Sequence, residues 1–150
     1  TFSDTSNLNE WTTPLKRNEA IEHLTMGCGW ICASTSLSTL RIFSYAGIEV
    51  LAISFETPIV CLAAHENLLA IVYHSSIPLL GHQSLQLRVY NILSYEIVIE
   101  SPMPINVNSK LTWFGFSEEG LIYSQDSHGI VRTMMRDMWI PVWEEPEGAQ

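Results

Sequence analysis

The side chains able to do chemistry in this 150-residue chain are three cysteines, five histidines and a surplus of carboxylates. Cys28 and Cys32 stand in a C-x3-C spacing around Gly29-Trp30, but no second Cys/His pair follows nearby. Cys61 and His65 would join them only through folding, whereas a structural zinc site wants four ligands at motif spacing. An odd number of cysteines in apolar surroundings reads instead as buried thiols in a reducing compartment. Asp126-Ser127-His128 contains the residue types of a catalytic triad. Neighbours on one turn cannot line up nucleophile, base and orienter, so a turn before Gly129 with Asp126 bonding backbone amides is expected. Gly27-x-Gly29 lacks the further glycine and the following helix of a phosphate loop. His23, His65, His74 and His82 scatter over strands and loops. The residues therefore predict no catalytic centre, no cofactor and no metal.

Composition narrows the partners. Apolar residues make up 47% and charged residues 15%, the balance of a globular chain. Acidic residues outnumber basic ones 16 to 7, a net charge of −9. Nucleic acid wants clustered Lys/Arg to displace its counterions, and only Lys16-Arg17 forms a pair, so no direct nucleic-acid binding by this segment is expected. Apolar runs such as "LLAIVY" (68–73) are far shorter than the roughly 20 residues of a membrane-spanning helix. No basic start with an apolar stretch suggests secretion. The chain starts at threonine and is expected to be a fragment.

The elements that must position these residues are short and β-rich. "WICAST" (30–35), "LRIFSY" (40–45), "VLAISF" (50–55), "LLAIVYH" (68–74), "LQLRVY" (85–90) and "YEIVIE" (95–100) have strand length and β-branched or aromatic character. Punctuators such as Ala46-Gly47 and Thr57-Pro58 separate them. No window sustains helical periodicity for three turns. An arginine following an aliphatic residue recurs at Arg41, Arg88 and Arg132, at intervals of 47 and 44 residues. Aligning the three brings the flanking strands into step: two before and one after each. Four antiparallel strands recurring every 40–50 residues predict an all-β fold of β-propeller blades. The blades are expected at about 19–56, 57–101 and 109–145. Residues 1–18 read as an extension or linker able to lay one short strand on the body, 75–84 as an inserted surface loop, and 146–150 as an acidic tail. The arginines are expected to lay their stems on apolar surface and reach a carbonyl or carboxylate at the rim. Trp30, Phe43, Leu69, Ile71, Tyr90, Trp113, Phe114 and Phe116 are the expected blade-packing residues.

Several of these stretches carry a family resemblance: "GWICASTSLSTLRIFSYAGIEV" (29–50), "PIVCLAAHENLLAIVYH" (58–74), "KLTWFGFSEEGLIYSQDSHGIVR" (110–132) and "WIPVWEE" (139–145). Together they resemble the central, SepB-type propeller of the eukaryotic replisome adaptor family. This is the family of chromosome-transmission-fidelity, acidic nucleoplasmic DNA-binding and fungal minichromosome-loss proteins. Thr133 departs from the large apolar residue that the family pattern has after "VR". The resemblance implies a nuclear, non-enzymatic scaffold built on a six-bladed propeller that associates as a homotrimer. It also implies a helical extension, beyond residue 150, that captures peptides of the helicase GINS component and of DNA polymerase α. Peptide-capture residues and the trimer contact are therefore not assigned to this chain.

Three blades do not close a ring, because propellers have about 4–8. This chain is expected to be half of a six-bladed one, its open faces covered by remaining blades from another segment or chain. The alternative is a generic propeller interaction module, such as a trafficking or ubiquitin-ligase adaptor, to which the fold alone points equally.

Overall fold

The structure, a computed structural model, describes residues 18–75, 84–105, 108–135 and 138–143. Their strands make three four-stranded antiparallel sheets, each a meander in chain order. The first sheet holds β1 (Ile21–Met26), β2 (Trp30–Thr35), β3 (Thr39–Ser44) and β4 (Glu49–Ser54). The second holds β5 (Ile59–His65), β6 (Leu68–His74), β7 (Leu85–Asn91) and β8 (Glu96–Met103). The third holds β9 (Leu111–Phe116), β10 (Ile122–Asp126), β11 (Val131–Met135) and β12 (Met138–Trp143). No helix occurs among the described residues. The expected N-terminal strand and acidic tail, and all but the ends of the 75–84 loop, lie outside them.

The second sheet is buried on both faces, which explains the unbroken apolar run of β6. Strand alternation sends Leu69 and Ile71 toward the first sheet, where they meet Trp30, Cys32, Leu40 and Ile42. It sends Ala70 and Val72 the other way, into a cluster with Leu87, Val89, Ile122 and Met134. Successive first strands touch, β5 contacting β1 on one side and β9 on the other. These are propeller blades arranged around the edge formed by β1, β5 and β9.

Turns lock neighbouring blades together. Glu66, in the β5–β6 turn, holds a left-handed φ of 53° without being glycine. Its carbonyl accepts hydrogen bonds from the Cys28 amide (2.8 Å) and the Trp30 indole Nε1 (3.1 Å), both in the β1–β2 hairpin of the first blade. Gly27 leaves the room that this indole occupies, since a Cβ there would lie 2.1 Å from the ring. In the next blade, Phe116 rests on His65 with ring centroids 5.7 Å apart.

Six of the expected blade-packing residues lie in or against these two clusters. Trp30, Leu69 and Ile71 are in the first with Tyr90 beside it, and Phe114 and Phe116 pack against the second. Phe43 is buried on the face of β3 opposite Leu40 and Ile42. Trp113 is 50% exposed and lies on the other face of β9, the one turned away from the second blade. Phe114 and Phe116 take the face of β9 turned to the second blade, so alternation turns Trp113 away from it.

Candidate interaction sites at the blade seams

Each arginine occupies the same node of its blade, as the strand register shows. Arg41, Arg88 and Arg132 sit in the third strand opposite Ala33, Ile71 and Ser124 of the second. Two residues beyond those partners come Thr35, Tyr73 and Asp126, which in turn pair with Ile21, Ile59 and Leu111 at the start of the first strand. Alternation fixes the facing too. Arg88 lies opposite Leu87 and Val89, on the side of the preceding blade, and Arg132 shares a face with Met134, which packs on the second blade. Arg41 likewise lies opposite Leu40 and Ile42.

The three nodes solve the same problem with different partners. Arg41 grips Glu19 by two bonds, Nε to Oε2 at 3.1 Å and Nη2 to Oε1 at 3.0 Å, and reaches Glu49 at 2.8 Å. Thr35 Oγ1 donates to the same Glu19 carboxylate at 2.6 Å. The Glu19 side chain is fully buried, so this two-point clamp and the threonine offset a desolvation that a lone carboxylate could not survive. Arg132 donates to Asp126 Oδ2 at 2.9 Å, and the amides of His128 and Ile130 donate to Oδ1. This is the backbone-bonding turn the sequence predicts, with the arginine added. Burial would raise the Asp126 pKa, but Arg132 and the two amides outweigh it and hold the carboxyl below its ordinary value.

Arg88 is held by aromatic rings as much as by charge. Its guanidinium carbon lies 5.3 Å from the Tyr73 centroid, 5.5 Å from Phe55 and 6.0 Å from Tyr90. Nη2 donates to Glu100 at 2.8 Å and Nη1 to the Tyr90 hydroxyl at 3.2 Å. Phe55 belongs to the link between blades, so this node ties the first blade to the second. Beside it a cavity of about 230 Å³ opens between Ser54, Thr57, His74 and Arg88. Two buried nitrogens at this cavity, Arg88 Nε and His74 Nδ1, have no hydrogen-bond partner among the described residues. Burial lowers the His74 pKa, so the ring is favoured in its neutral form there.

The remaining chemical residues are dispersed. No group of three or more His, Cys, Asp or Glu able to hold a metal occurs among the described residues. Cys28 is exposed, Cys32 is buried and Cys61 is half-buried. Burial pushes the Cys32 and Cys61 thiols up to about 12. Ser127 Oγ accepts from the Lys110 amide, a structural bond between turns. What the sequence did not reveal is Glu19, whose role depends on a contact across 22 positions. The one available signal was an acidic residue just ahead of a strand in an otherwise polar stretch.

Comparison with known proteins agrees with this architecture. The chain resembles part of the HIRA(644–1017) crystal structure, with a TM-score of 0.62 at 17% identity, covering 88% of this chain and 42% of that one. A chain of the mitotic checkpoint complex gives 0.62 at 9% identity over 87% of this chain and 38% of that one. At such identities these show the fold alone. WD repeat and HMG-box DNA-binding protein 1 is 36% identical in Homo sapiens and 34% in Xenopus laevis, over 146 residues and 94% of this chain. The Arabidopsis thaliana protein ENHANCER OF LHP1 1 is 34% identical over 95%. The chain spans only 13–15% of the length of these relatives. The middle region of minichromosome loss protein, Mcl1, matches residues 1–149. The chain therefore belongs to the Mcl1 minichromosome loss protein family and corresponds to its middle region.

Proposed function

We propose that this chain is half of a six-bladed propeller in a nuclear, non-enzymatic scaffold of the replication machinery. In the complete protein, further blades close the ring and the rings associate as a homotrimer. A helical region beyond this segment then links the helicase GINS component to DNA polymerase α-primase, in replication and sister-chromatid cohesion. This segment supplies rigid blades and does not itself hold nucleic acid, in keeping with its charge of −9.

The observation that carries the reading is the far face of the third blade. Trp113, Met135 and Met138 share that face and are 50%, 49% and 62% exposed. Burying each such side chain contributes roughly 1.5–3 kcal/mol, so a fourth blade is the natural cover. Family membership over almost the whole chain supplies the context.

Light scattering tests it. The 150-residue chain alone is expected to self-associate, whereas the full-length protein is expected to run as a trimer that captures GINS and polymerase α peptides. A cooperative, well-folded monomer of the isolated chain would refute the half-propeller, and a monomeric full-length protein would refute the hub.

A further inference from the structure

Each of the three nodes carries an arginine, but only two receive a buried carboxylate among the described residues. Glu19 stands two residues before Ile21, which pairs with Thr35. The same place in the second blade, two before Ile59 and its partner Tyr73, is Thr57. In the third, two before Leu111 and its partner Asp126, it is Ser109. The bulge of each first strand falls one residue after that pair, at Glu22, Val60 and Thr112, so the three registers correspond. Arg41 is met by Glu19 and Arg132 by Asp126, both with buried side chains. In the second blade these two places hold Thr57 and Tyr73, and neither is an acid. Arg88 keeps Glu100, an exposed residue of the outer strand.

Where the first blade has its buried carboxylate, the second has space. The cavity of about 230 Å³ is lined by Thr57 and Arg88, the counterparts of Glu19 and Arg41. Thr57 turns its hydroxyl to the His74 carbonyl instead of to the arginine. Arg88 Nε, the counterpart of the nitrogen that Arg41 gives to Glu19, bonds to no described residue. His74 Nδ1 is the second such nitrogen at this cavity. A buried donor left without an acceptor is costly, so an acceptor from outside is favoured. The rings of Phe55, Tyr73 and Tyr90 hold the guanidinium in place whether or not one is bound. Glu56 also lines the cavity and Glu100 shares the guanidinium, so a single negative charge is accommodated better than two.

We propose that the cavity beside Arg88 binds a carboxylate, which completes the second node from outside as Glu19 completes the first from within. The ligand accepts from Nε and Nη2 of Arg88, the pair of nitrogens that Arg41 gives to Glu19. Nη2 carries two protons, and Glu100 takes one of them. His74 donates a further bond in the tautomer that carries its proton on Nδ1. The carboxylate is either a small free one or the acidic side chain of a partner peptide, since the cavity opens to solvent between exposed Ser54 and Ser75. This inference is independent of the replication reading.

The test follows the arginine Nε–H signals by NMR in the intact chain labelled with nitrogen-15 arginine. Sodium acetate and the blocked tripeptide Gly-Glu-Gly are titrated in turn, against sodium chloride at equal ionic strength and against Gly-Gln-Gly. A saturable shift of the Arg88 signal is expected with the carboxylates and not with the two controls, while the Arg41 signal stays in place. A response to acetate as strong as to the tripeptide marks a small free carboxylate as the ligand, and a tighter response to the tripeptide marks an acidic side chain. Thr57→Glu, with its folding checked by circular dichroism, supplies the carboxylate from the chain itself. It should shift the Arg88 signal without ligand and abolish the response to acetate. No saturable shift at Arg88, a shift matched by either control, a stronger response to inorganic phosphate, or a folded Thr57→Glu chain that still responds to acetate would overturn the proposal.

Discussion

Glu19 shows what full burial demands of a charged group. Its carboxylate is wholly buried, and Arg41 and Thr35 satisfy it. Removing one partner of a buried pair leaves an uncompensated charge, at a cost of about 3–5 kcal/mol. Arg41→Ala is therefore expected to lower stability by that amount in urea unfolding, and the Glu19→Ala, Arg41→Ala pair by less than the sum of the two single changes. Asp126 gives a pH signature instead. Its folded pKa is depressed, so its contribution is present above the ordinary carboxyl value of 3.8 and lost as pH falls through the lower folded value. Asp126→Asn should flatten the acid limb of stability between pH 5 and 2, read from thermal melts. The thiols separate by burial. N-ethylmaleimide at pH 8 should modify Cys28 in the folded chain, while Cys32 and Cys61 should react only after unfolding, as mass spectrometry of the peptides would show.

At the scale of strands and turns, the blade-to-blade latch is the sensitive device. A Cβ at Gly27 would drive into the Trp30 indole and break its bond to the Glu66 carbonyl. Gly27→Ala should cost about 1–3 kcal/mol, with the loss showing as faster exchange of the Cys28 amide. Gly29, with φ of +83° and open space around it, should cost only the strain of a left-handed alanine, roughly 1 kcal/mol. Strands were legible in the sequence because alternation and punctuation are local: β2, β3, β6 and β7 start and stop within a residue or so of the apolar stretches that announce them. The arginine recurrence was legible as a spacing, and the register now gives it an address. Its partners were not legible. Glu19 reaches Arg41 from just ahead of β1, whereas Tyr73 and Asp126 reach Arg88 and Arg132 from the ends of β6 and β10, and nothing in the chain's order says that a carboxylate, a ring or a turn will fill the same node. Nor was the facing of Trp113 legible, since adjacent aromatics looked equivalent until alternation assigned them opposite faces.

For the whole molecule, the consequence lies in the shared facing of Arg41, Arg88 and Arg132. Each blade turns its arginine toward the blade before it, and presents apolar side chains to the blade after it. The contact is heterologous: what one blade offers in front differs from what it offers behind. Two copies of this chain cannot therefore meet by matching like faces across a twofold axis at the seam. In the proposed self-association the copies would join head to tail, third blade to first, closing a ring where the rotation fits and running on as an open, polar filament where it does not. A concentration series should accordingly show masses that rise in whole chains, and Met138→Asp, placed on one end only, should cap growth without unfolding any blade.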